Sequence, residues 1–115
     1  MCKNDNHLTI AQAYYTAMAE KNSSNIEAYL HPEVHLVGPY GEKVGKEMVF
    51  DSAKKFMHMF KAINIRAVCA SDDQVMLAYD LLEFNHPGTI LRAASLMTFK
   101  DSVIIKNELF FDTRF

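Results

Sequence analysis

The sequence predicts an α+β fold, with helices gathered on one side of a curved antiparallel sheet. Two observations carry that prediction. The first half of the 115 residues places its apolar side chains at the helical period of 3.6. From Ala62 onward the period becomes two, and short polar turns break the run as they do in hairpins. No internal repeat, low-complexity block or Pro/Gly-rich linker divides the chain, so residues 1–115 read as a single domain.

The first helix is capped by Asp5 or Asn6 and gathers Leu8, Ala11, Tyr14, Tyr15, Met18 and Ala19 on one face, with Thr9, Gln12, Thr16 and Glu20 opposite. Lys21-Asn22 closes it. Ser24-Asn25-Ile26-Glu27 then matches a capping box and opens a short second helix that Pro32 stops. The segment His31 to Gly45, HPEVHLVGPYGEKVG, reads as a short strand (Val34, Leu36, Val37), a Gly-Pro-Tyr-Gly turn and a glycine opening a third helix. That helix is expected from about Lys46 to Phe60. Val49, Ala53, Phe56, Met57 and Phe60 lie on its apolar face; Glu47, Asp51, Lys54, Lys55, His58 and Lys61 lie on its polar one.

Four strands follow: Ile63 to Ala70, Gln74 to Asn85, Thr89 to Lys100 and Val103 to Phe111. Ser71-Asp72-Asp73, His86-Pro87-Gly88 and Lys100-Asp101-Ser102 supply the turns. Both faces of these strands are rather apolar. One face is expected under the helices and the other under a second subunit, which predicts a homodimer.

The bulk chemistry excludes several classes. Half the residues are hydrophobic and the formal net charge is −2, so there is no basic footprint for nucleic acid or an anionic membrane. No apolar run is long enough to span a bilayer. The opening MCKNDNHLTI lacks the apolar core of a secretory signal, and Cys2 and Cys69 are only two thiols; a reduced, cytoplasmic setting is expected. His31 and His35 are separated by Pro32 and cannot share a helix face, and no HxH or HExxH spacing occurs. Neither a metal nor a cofactor is expected.

The tyrosine-bearing first helix (AQAYYTAM), the strand-turn-helix HPEVHLVGPYGEKVGKE and the ending SLMTFKDSVIIKNELFF resemble the nuclear-transport-factor-2-like superfamily, which includes ketosteroid isomerases and SnoaL-like polyketide cyclases. The resemblance covers nearly the whole chain. It implies a cone-shaped, cystatin-like fold with three helices on the concave face of the sheet, an apolar pocket between sheet and helices, and commonly a homodimer. Ketosteroid-isomerase chemistry uses a carboxylate base with a tyrosine and a neutral carboxylic acid at the oxyanion. Carried onto this chain, the tyrosine corresponds to Tyr14, the base to Gly38 and the second acid to Ser95. Two of the three groups are therefore missing.

Strand alternation identifies what could replace them. If Ser95 faces the cavity, so do Leu91, Ala93, Met97 and Phe99; the matching set on the preceding strand is Met76, Ala78, Asp80, Leu82 and Phe84. Asp80 is then an inward acid among apolar neighbours, suited to general acid–base work beside Tyr14. A slip of one residue turns Asp80 out and brings Tyr79 and Leu81 in. On the last strand the same alignment turns Ile104, Lys106, Glu108 and Phe110 inward, although the opposite face is more apolar. Tyr40 shares parity with Gly38 at the pocket mouth. Phe56, Met57 and Phe60 would form one wall, with Met18 and Met97 opposite.

Three readings of function stand. The leading one is an apolar-pocket protein that binds a hydrophobic or aromatic small molecule. The second is a cofactor-independent isomerase, lyase or cyclase using Asp80 and Tyr14. The third is a dimeric interaction module whose cone is filled by its own side chains.

Overall fold

A computed structural model describes residues 5–112, with side chains from Asn6. Cys2 and the Asp5 side chain lie outside the described residues. The elements run α1 (Asp5–Ala19), α2 (Ser23–Ala28), β1 (Leu30–Gly38), β2 (Gly41–Val44), α3 (Lys46–Phe56), β3 (Ala62–Ser71), β4 (Gln74–Leu82), β5 (Ile90–Lys100) and β6 (Val103–Phe111). Three helices pack on one face of a curved, unclosed six-stranded sheet of order β2-β1-β6-β5-β4-β3. The sheet is mixed rather than antiparallel throughout, because β1 runs parallel to β6.

Several local features differ from the sequence expectation. The second helix is capped two residues earlier than the capping box implies: the Asn22 side chain accepts from the Asn25 amide at 3.3 Å. The Gly-Pro-Tyr-Gly turn leads first into β2, which pairs back on β1, and only then into α3. α3 ends at Phe56 rather than Phe60. The Lys21 ammonium bonds the carbonyls of Met57 and Phe60 (the latter at 2.7 Å), and the Asn85 amide bonds the Met59 carbonyl at 2.8 Å. Those partners turn the chain out of the helix and onto the sheet.

The core lies between the helices and the concave face of the sheet. Ala11, Tyr14, Tyr15, Ala17 and Met18 of α1 are buried against Val75, Leu77, Tyr79 and Leu81 of β4 and Leu91, Ser95, Met97 and Phe99 of β5. Directly paired residues share a face. β4 and β5 pair Leu77 with Ser95, Tyr79 with Ala93 and Asp80 with Arg92. The inward set on β5 is therefore the expected one, whereas β4 is turned over by one residue.

Asp80 accordingly points away from the cavity, as does Leu82. On the convex face Asp80 lies 3.8 Å from Arg66 and 3.9 Å from Arg92. The alternation breaks at Glu83, whose φ is +54°, and this returns Phe84 to the buried side.

The last strand is corrected in the same way. Ile104 is inward, paired with Phe99, but the register shifts between Thr98 and Phe99. Beyond that bulge Asn107 pairs with Met97 and Leu109 with Ser95, so Asn107, Leu109 and Phe111 face inward. Lys106, Glu108 and Phe110 face outward, and Lys106 lies 3.9 Å from Glu108.

Candidate functional site

A cavity of about 280 Å³ opens between the sheet, α1 and α3. Each surrounding element contributes by its own periodicity. α1 supplies Tyr14, Tyr15 and Met18 from its buried face, and α3 supplies Ser52, Ala53, Lys55 and Phe56. β1 and β2 pair Leu36 with Lys43 and Gly38 with Gly41, so all four stand on the cavity side. β6 contributes Asn107, Leu109 and Phe111, the side chains its bulge turned inward.

Of the residues the sequence proposed for the site, Tyr14, Met18, Gly38, Tyr40 and Phe56 stand together on this wall. Tyr40 is at the rim, 74% exposed, with its ring 5.8 Å from that of Phe111. Met57, Phe60 and Met97 are core residues outside the lining. Ser95 is fully buried behind Tyr15. Asp80, Leu82 and Glu108 are on the other face of the sheet. A Cβ at Gly38 would sit 3.6 Å from Leu109 Cβ, an ordinary contact, and its φ is not positive. No backbone demand requires glycine there, and the missing side chain leaves cavity space.

The sequence reading missed Tyr15, Asn107, Leu109, Phe111 and the two lysines. Asn107 carried a signal of its own: it is a lone carboxamide in the otherwise apolar stripe Ile105, Leu109, Phe111.

Behind the wall is a closed polar cluster. Tyr79 donates to the Tyr15 oxygen at 3.1 Å, the Ser95 hydroxyl and the Tyr79 oxygen are 2.7 Å apart, and the Tyr15 hydroxyl bonds Ser95. Three hydroxyls carry three protons, and one circulation uses them all: Tyr79 to Tyr15, Tyr15 to Ser95, Ser95 to Tyr79. Burial pushes the Tyr15 phenol up, and the hydrogen bonds of Ser95, Tyr79 and Asn107 pull it partly back. Burial likewise pushes Tyr79 well up.

Two polar groups on the wall stand outside that circulation. The Tyr14 hydroxyl is in none of the hydrogen bonds among the described residues, and burial holds it protonated far above the ordinary phenol range. Its ring meets that of Tyr15 edge-on, 5.2 Å between centroids. Asn107 is 3% exposed, and its Oδ1 is buried with no hydrogen-bond partner among the described residues. Among the described residues, the lining contains no carboxylate and no imidazole. Among the described residues, no group of three or more His, Cys, Asp or Glu side chains is placed to hold a metal ion.

Residues 11–107 match the SnoaL-like domain family. No curated protein matches the chain. Among solved structures, an NTF2-like protein of unknown function from Cytophaga hutchinsonii superposes with a TM-score of 0.82 at 21% identity, covering 94% of this chain and 91% of that one. A protein of unknown function with a cystatin-like fold from Methylobium petroleophilum gives 0.81 at 14% identity, covering 100% and 81%. A putative SnoaL-like polyketide cyclase from Jannaschia sp. gives 0.79 at 14% identity, covering 94% and 86%. At such identities these likenesses establish the fold and leave chemistry to the site. With the family match spanning most of its length, this chain belongs to the SnoaL-like domain family and has the NTF2-like, cystatin-like fold.

Proposed function

We propose that this chain binds a hydrophobic or aromatic small molecule in the cavity between α1, α3 and the sheet. The carrying observation is the cavity itself: a largely apolar wall with two polar atoms, the Tyr14 hydroxyl oxygen and the unpartnered Asn107 Oδ1, set deep in it. Binding sites for small molecules have this composition, with apolar area for affinity and a few polar groups for orientation. A volume of about 280 Å³ suits a compact bicyclic or short-chain molecule rather than an extended one. Among the described residues the lining offers no carboxylate or imidazole to move a proton, which favours binding over general acid–base catalysis. In this reading the functional unit is a homodimer joined through the convex face of the sheet.

Thermal shift against a panel of bicyclic aromatics tests the binding reading. A ligand at one hundred times its dissociation constant stabilises the fold by about 2.7 kcal/mol, or several degrees in Tm. Gly38→Leu fills the cavity from β1 and is expected to abolish the shift while the apo protein still unfolds cooperatively. An unchanged shift in that variant would locate binding elsewhere.

A further inference from the structure

The distribution of charge and of free hydrogen-bonding groups around the cavity narrows the ligand class. At the inner end, Tyr15, Tyr79 and Ser95 spend their three protons on one another and have none to donate. Asn107 differs: its buried Oδ1 is an acceptor with no donor. A buried acceptor without a partner carries a desolvation cost that a bound donor removes. The inner end therefore selects an uncharged O–H or N–H on the ligand, with the buried Tyr14 hydroxyl on the same lining as a second neutral partner. A charged group there would meet no counter-charge in a dry apolar site, which is prohibitive.

The mouth is the reverse. Lys43 on β2 and Lys55 on α3 stand on the wall from two different elements, and both are exposed. Neither takes part in an ion pair among the described residues, although Lys54 next door is paired with Asp51 at 3.4 Å. Among the described residues, no acidic side chain is on the wall to offset them. The two ends together fix both a charge pattern and an orientation.

We infer that the ligand is an amphiphilic monoacid with a hydroxyl at its far end. It enters apolar body first, donates that hydroxyl to Asn107 Oδ1 and leaves its carboxylate between Lys43 and Lys55. This rests on the binding reading above and adds class and direction to it.

The test compares three probes of nearly equal size by titration calorimetry at low ionic strength. They are a hydroxynaphthoate with its two polar groups at opposite ends of the ring system, the corresponding naphthoate, and the corresponding naphthol. Hydroxynaphthoate is expected to bind tightest. Removing its hydroxyl costs about tenfold through the unpaired amide oxygen, and removing its carboxylate costs about threefold to tenfold through two exposed ion pairs. The carboxylate part of the preference disappears as salt is raised. In the double variant Lys43→Gln/Lys55→Gln, the affinity for hydroxynaphthoate falls to that for naphthol. Lys54→Gln, one residue from Lys55 but off the wall, retains the wild-type order. Equal binding of hydroxynaphthoate and naphthol to the wild type, or of hydroxynaphthoate and naphthoate, overturns this inference and leaves apolar binding standing. Failure of all three probes to bind overturns the binding reading with it.

Discussion

At the scale of single residues, the buried hydroxyl triangle ties α1 to the middle of the sheet. Tyr15 comes from the helix, Tyr79 and Ser95 from neighbouring strands, and each hydroxyl depends on the other two. Ser95→Ala removes one corner and leaves the Tyr15 O–H without its acceptor and the Tyr79 oxygen without its donor in a dry site, while Tyr79 still donates to Tyr15. The expected loss is about 1–3 kcal/mol in urea unfolding with an unchanged m value. Adding Tyr79→Phe should cost less than the sum of the single changes, because both act on the same ring. A fully additive pair would show that the ring is not a unit. The same residues set an alkaline limit. Tyr14, Tyr15 and Tyr79 are all raised by burial above the ordinary phenol value of 10.0, so the native state keeps protons that the unfolded chain releases. Their contribution is fully present below pH 10 and is lost as pH rises above it. Tyrosinate absorbance and circular dichroism should therefore change together on alkaline titration. Ionisation of all three with the dichroism intact would contradict their burial.

At the scale of elements, α3 forms the outer cavity wall, and its end is held from outside. Glu47 in its first turn and Lys54 and Lys55 in its last complement the helix dipole. The stop itself comes from Lys21, which leaves α1 with a φ of +60°, reaches two carbonyls beyond α3 and sits 4.2 Å above the Phe60 ring. Lys21→Met keeps the aliphatic stem and loses those bonds. It is expected to destabilise the protein by about 1.5–3 kcal/mol and to raise amide exchange first around residues 56–60. Because Phe56 and Met59 are on the cavity wall, ligand affinity should fall with it. Element order and most strand limits were legible in the sequence, because periodicity and turn residues are local properties. Facing was legible only between irregularities. The inward set of β5 follows from alternation alone. β4 was misread because its register on β5 sets Leu77, not Met76 or Ala78, opposite Ser95, and β6 because it carries an extra residue opposite the Thr98–Phe99 step. Register and bulges depend on pairing across strands, which no single stretch encodes. They moved Asp80 out of the site and Asn107 into it, which takes from the second reading, proton transfer, the acid it depended on.

At the scale of the whole molecule, no helix of the described residues covers the convex face of the sheet. Met76, Ile90 and Phe110 are 44%, 54% and 50% exposed there, around the ion cluster of Arg66, Asp80 and Arg92. Asp80 Oδ1 is buried without a hydrogen bond, although its side chain lies between two arginines, themselves largely exposed. A face with apolar patches and both signs of charge is self-complementary under a two-fold axis, since each arginine finds an acid on the facing copy. That favours a second copy of this chain over a partner of one charge. A standard interface needs roughly 800 Å² from each side, and a sheet face of four long strands supplies that scale. Sedimentation equilibrium at micromolar concentration should give a dimer. The double variant Met76→Glu/Phe110→Glu places like charges across the axis and should give a folded monomer. Because the cavity opens on the opposite side of the sheet, that monomer should retain ligand affinity per chain, and Asp80→Asn should weaken dimerisation while leaving ligand affinity unaltered. A wild-type monomer would remove the second copy from the convex face. Loss of binding on forced dissociation would instead mean that the two faces of the sheet are coupled.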